Sequence, residues 1–144
     1  MNYQHLLTRF EHAGVYHMPL DGEAALVAAA EHNGYFVFRI DLAKAKDKAE
    51  LLKIIGDAMR FPEWFGHNWD ALMDCLADLG WLPAEGYVVI LEHCDGIHGR
   101  AEADFVQTLQ VFENAANEWR EQGVPFWCFV DMQADGISWL SDIA

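Results

Sequence analysis

A chain of 144 residues, 53% hydrophobic and 13% aromatic, carries enough apolar material for a packed core and too much for a disordered segment. Its formal net charge is -14, from nine Lys and Arg against 23 Asp and Glu. That balance excludes nucleic acid as the partner, because phosphates need cations, and it favours attraction to basic proteins.

The N-terminus lacks the basic start and apolar run of a signal peptide, and no apolar run approaches bilayer length. A soluble, cytoplasmic, monomeric protein is expected. Tyr3 to His12 has an amphipathic helical pattern, with Tyr3, Leu6, Leu7 and Phe10 on one face. GVYHMP can form a short edge strand ended by Pro19. Asp21 is the expected N-cap of an Ala-rich helix from Gly22 to His32, closed by Asn33-Gly34. Residues 1–33 carry no chemical motif and are expected to be an extension packed on a main domain of residues 34–144.

Tyr35 to Ile40 (YFVFRI) is a continuous apolar run, the mark of a strand covered on both faces. Asp47 is the expected N-cap of a helix whose stripe is Leu51, Leu52, Ile54, Ile55, Ala58 and Met59, stopped by Phe61-Pro62. The loop FPEWFGH then leads to a helix that begins at Asn68 and runs to about Gly80. Tyr87 to Leu91 (YVVIL) predicts a second buried strand, His93 to Gly99 a loop, and Ala103 to Gln122 a long helix. PFWCFV predicts the third strand, and the tail can end in a half-turn around Trp139 and Leu140. Strands separated by helices imply an α/β domain with a parallel sheet. Cys75, Cys94 and Cys128 form no CxxC pair and are expected to be reduced structural thiols.

Six of the nine basic residues lie between Arg39 and Arg60, and none follows until Arg100. Inside that acidic block, Asp70, Asp74 and Asp78 fall at i, i+4 spacings, where like charges repel. On a helical wheel, Leu72, Leu76 and Leu79 gather on one side, with Cys75 and Trp69 at its margins. The three aspartates, Ala77 and Trp81 lie opposite, flanked by Met73. The wheel alone leaves open whether this face is solvated or docked. Ahead of it, Glu63, Trp64, Phe65, Gly66 and His67 put two large aromatics on a short connection. There Gly66 permits a positive φ or a close backbone approach, and Asn68 is a good N-cap.

PEWFGHNWDALMDCL resembles the central motif of the barstar family of intracellular ribonuclease inhibitors. The likeness extends more weakly through YVVILE and LQVFENA, from about Tyr35 to Val130. It implies a small three-stranded parallel sheet with helices, and an acidic helix and loop inserted into the active site of a basic, barnase-type ribonuclease. By this resemblance Asp74 occupies the place of the substrate phosphate, and Asp70 pairs with the enzyme's cations. Trp64 supplies the loop aromatic, Gly66 and Asn68 shape the loop, and Trp81 closes the helix. Met73 stands where the family has an interface Trp, Asn114 where it has an acidic contact, and His67 where it has an acid. The alternative is an acidic module for another basic protein or toxin, without ribonuclease inhibition.

An enzyme would need more. Asp70 and Asp74 with Glu92, His93 or Asp95 can in principle bind Mg²⁺, but no neighbouring Lys or Arg and no phosphate loop accompany them. His93, Cys94 and His98 match no standard metal spacing. No catalytic activity, metal or cofactor is expected.

Overall fold

Tyr87–Glu92 (β3) and Phe126–Val130 (β4) are buried along nearly their whole length, because the sheet they form is covered on both faces. Tyr87, Val89 and Leu91 enter one core with Phe126, Cys128 and Val130. Val88, Ile90, Trp127 and Phe129 enter a second. Two-sided burial is why both strands read as continuous apolar runs. Phe36–Asp41 (β2) pairs in parallel with β3, and β3 with β4.

The computed structural model describes residues 2–62, 66–133, 137 and 140–143. Its sheet is wider than the three strands expected. Val15–His17 (β1) and Ser141–Asp142 (β5) join it, giving five parallel strands in the order β2-β3-β4-β1-β5. GVYHMP is therefore no edge strand, since β1 lies between β4 and β5. Backbone bonds hold it at both ends: Cys128 N–H donates to the Gly14 carbonyl and Met18 N–H to the Val130 carbonyl, each at 2.9 Å. The strand itself could be read locally, but its place inside the sheet depends on this distant pairing and leaves little trace in local composition.

Helices Tyr3–Leu7 (α1) and Glu23–His32 (α2) cover the second core with Leu7, Leu26, Ala29 and Ala30. The buried Trp127 indole donates to the Leu7 carbonyl at 2.9 Å and fastens this N-terminal layer to the sheet. Arg39 fastens it again at the rim, bonding Glu23 of α2 at 2.6 Å and Glu92 of β3 at 3.0 Å. The opposite face carries Lys48–Ala58 (α3), Trp69–Asp78 (α4), Asp95–Arg100 (α5) and Glu102–Glu121 (α6). Asp47 caps α3 as expected, accepting from Glu50 N–H at 2.9 Å. Among the described residues, no helix is long and apolar enough to cross a membrane.

Two local expectations are corrected. Asp21 does not cap α2; it turns through a left-handed φ of 55°, and Gly22 is the N-cap. A Cβ at Gly22 would come within 2.9 Å of the Pro19 Cβ, so the tight turn claims the cap position for glycine. His93 to Gly99 is largely helix α5 rather than loop. Its two glycines suppress helix propensity, but Ile97 is buried in the core and the Asp95 carboxylate accepts from Gln133 N–H at 3.1 Å. Trp139, expected in a terminal half-turn, lies outside the described residues.

Candidate docking surface

α3 stops at Met59, and Arg60 turns the chain through a φ of 58°. Phe61 then packs edge-on against Trp81, with ring centroids 6.0 Å apart. Residues 63–65 lie outside the described residues, and with them the expected loop aromatic Trp64. Where the chain resumes, the positive φ falls on His67, at 53°, and not on Gly66. Gly66 meets the other condition, close approach: a Cβ there would sit 3.3 Å from Asn68 Nδ2.

Asn68 is extended and caps α4 by accepting from Ala71 N–H at 2.7 Å. This bond satisfies one of the donors that every helix start leaves unpaired. α4 then separates cleanly. Leu72, Cys75 and Leu76 are buried, while Asp70, Asp74 and Asp78 are exposed. Trp69, Met73 and Ala77 are half-buried and form a stripe between those two sides. Among the described residues, none of the three aspartates has a salt-bridge partner. Their field is felt locally, since burial and then the Asp74 and Asp78 carboxylates push the Cys75 thiol up to about 11.

α4 ends in a left-handed residue, Leu79 at φ 48°, whose N–H bonds the Cys75 carbonyl at 3.2 Å. The chain therefore leaves the helical wheel before Trp81. That indole is half-buried and donates to the Met59 carbonyl at 3.2 Å, so it braces the end of α3 against the end of α4. Asp78 Oδ1 accepts from Gly80 N–H at 3.2 Å, which gives it a local capping role. Asn114 is exposed on α6, the helix that packs beside α4 and contacts it through Trp119.

Gly66, His67, Asn68, Asp70 and Asp74 thus share one exposed edge, Met73 borders it, and Trp81 turns into the fold. Trp69, which the wheel put at the margin of the buried face, is the residue that local reasoning passed over. It is the first residue of α4, and Lys48 Nζ lies 4.8 Å from its ring centroid.

Of the residues considered for Mg²⁺, the three beyond Asp70 and Asp74 are engaged elsewhere. Glu92 bonds Arg39, His93 bonds Asp41 at 2.9 Å, and Asp95 bonds the Gln133 N–H. Among the described residues, no group of three or more His, Cys, Asp or Glu is placed to hold a metal ion.

No curated protein matches the chain significantly. The family model described as Barstar (barnase inhibitor) matches residues 35–131, from the residue before β2 to the residue after β4, and so takes in α4 and its flanking loop. On that match, which spans the acidic helix and strands β2, β3 and β4, the chain belongs to the barstar family, a family of inhibitors.

Proposed function

We propose that the protein inhibits a basic, barnase-type ribonuclease by seating the exposed face of α4 and the preceding loop in its active site. The observation that carries this reading is the row of exposed carboxylates, without a salt-bridge partner among the described residues, on a helix whose opposite side is locked into the core. A ribonuclease cleft gathers cations to hold phosphate, and preorganised carboxylates satisfy the same donors. Asp74, in the middle of the helix, is the phosphate mimic, and Asp70 pairs with a neighbouring cation. Trp64, Gly66, His67 and Asn68 extend the contact along the loop, and Met73 and Asn114 border it.

No chemistry is required of the inhibitor, which acts as a monomer. The opposite charge of its target steers association and makes the on-rate salt-dependent. Three buried free thiols suit a reducing cytoplasm. Residues 1–33 serve as scaffold, because α1 and α2 cover the sheet face opposite α4.

Titrating the protein into a barnase-type ribonuclease assay tests this. Stoichiometric inhibition is expected, weakened by about 2–5 kcal/mol in Asp74→Ala, the usual cost of truncating one partner of a buried charge pair. The absence of both inhibition and complex formation would refute it. Half-buried Met73 and uncharged Asn114 favour a second reading, a module for another basic protein, which predicts a complex without inhibition.

A further inference from the structure

Lys48 differs from the lysines around it. Lys44, Lys46 and Lys53 are exposed, and Lys53 pairs with Asp57 at 2.8 Å. Lys48 is half-buried, and among the described residues no carboxylate pairs with it. Its ammonium instead rests 4.8 Å from the centre of the Trp69 ring, reaching from the first residue of α3 to the first residue of α4. One indole face at the edge of the acidic surface is therefore already holding a cation.

The surroundings of that face suit a different cation better. Trp69 packs against the core and leads the half-buried stripe of Met73 and Ala77, which runs beside the carboxylates of Asp70 and Asp74. A guanidinium is planar, so it can stack on an indole while its edge donates to a carboxylate. An ammonium is a compact, strongly hydrated point charge that does either well but not both. Lys48 sits on a flexible stem and can return its head to water at little cost. Met73, one turn along, offers a polarisable thioether as the apolar border of the same shelf.

We propose that the ring face of Trp69 is an arginine-receiving shelf of the docking surface, occupied by Lys48 in the free protein and yielded to an arginine of the basic partner. The proposal rests on the docking reading for its partner class, and it adds a specificity: arginine is preferred to lysine at this point.

The test uses the whole chain and two peptide probes, hexa-arginine and hexa-lysine, titrated at low salt by calorimetry and by NMR of the indole N–H groups. Hexa-arginine should shift the Trp69 indole resonance. Trp69→Leu should weaken hexa-arginine binding about two- to fivefold, the scale of an exposed cation–π contact, while hexa-lysine changes less. Lys48→Gln should strengthen hexa-arginine binding more than Lys44→Gln does, and that gain should disappear in the Trp69→Leu background. An unperturbed Trp69 resonance, equal losses for both peptides, or the same Lys48→Gln gain in either background would overturn the shelf. If Trp69→Leu does not fold, Trp69→Phe replaces it, and the Lys48→Gln and Lys44→Gln pair tests the idea alone. Ribonuclease inhibition is a separate measurement: arginine-selective binding through Trp69 without inhibition sinks the inhibitor and keeps the shelf. Inhibition that is indifferent to Trp69 and Lys48 does the reverse.

Discussion

The indole N–H of Trp119 on α6 donates to the main-chain carbonyl of Leu76 on α4, 2.8 Å away in a buried setting. Last-turn carbonyls have no partner within their own helix, so a side chain from the neighbouring helix completes the end of α4. Trp119→Phe keeps most of the packing and removes the donor. It should cost about 1–3 kcal/mol, the usual penalty for stranding a buried acceptor, read as a lower urea midpoint. A change within experimental error would mean that Leu76 finds another donor.

Asp74 contributes nothing to the fold that its removal would forfeit. It is exposed, unpaired among the described residues, and flanked at i-4 and i+4 by Asp70 and Asp78. Asp74→Ala should leave stability unchanged or raise it by a few tenths of a kcal/mol through relief of repulsion. Denaturant unfolding decides the point, and a loss above about 1 kcal/mol would place Asp74 in a structural role.

Asn68 behaves oppositely. Its cap to Ala71 N–H predicts that Asn68→Ala costs about 1 kcal/mol, and that Asn68→Ser recovers most of it. Equal stability of the two variants in thermal melts would show that the cap bond is not what starts α4.

All three cysteines are buried and free. Burial first, and then nearby charge (Asp131 and Asp95 beside Cys94, Cys94 and Glu113 beside Cys128), pushes the Cys94 and Cys128 thiols well above their ordinary range, and Cys75 reaches about 11. Thiolate is the reactive form. At pH 8 the native protein should therefore resist a thiol reagent that modifies all three positions in denaturant. Rapid labelling of one cysteine under native conditions would contradict its placement.

His93 Nδ1 and Asp41 Oδ1 are 2.9 Å apart at the rim of the sheet. The bond to Asp41, then its charge, raises His93 above its ordinary 6.5. A raised histidine stabilises fully below 6.5, and that contribution is lost as pH climbs through the raised value. Asp41 is lowered from 3.8, first by the Ala43 N–H and then by His93, so its contribution is present above 3.8 and lost as pH falls through the lowered value. The pair should therefore help most between 3.8 and 6.5. His93→Gln should flatten the decline in melting temperature on the alkaline side, and an unchanged profile would exclude the pair as its cause.

β3 and β4 were legible because burial on both faces leaves unbroken apolar runs, and α3, α4 and α6 because their stripes follow the helical period. β2 reads the same way, but it is an edge strand that leaves Arg39 and Asp41 exposed, so its expected cover on both faces is corrected. The caps at Asp47 and Asn68 were legible because local side-chain bonds create them. What escaped depends on contacts far away in sequence. β1 was legible as a strand, but its interior place between β4 and β5 was not; α5 is held by Ile97 and by the bond that Asp95 accepts from Gln133 N–H, and β5 has two residues. The wheel misplaced Trp81 because it extrapolated past the left-handed Leu79, a conformation leucine rarely adopts and composition does not announce. At the site, the exposed aspartates could be read from spacing. The Lys48–Trp69 contact joins two helices and could not.

The position of β1 also governs the order in which the molecule can assemble. Val15 is made early, yet its ladder partner is Cys128. During synthesis β1 has no strand to join, while β2 and β3 can already pair and gather α3 and α4. Until β1 inserts, one edge of β4 remains open to any passing strand. Pairing across nearly the whole chain is slow to form. The acidic helix can therefore be built before the sheet is closed, whereas β1 waits for β4, and β5 in turn waits for β1.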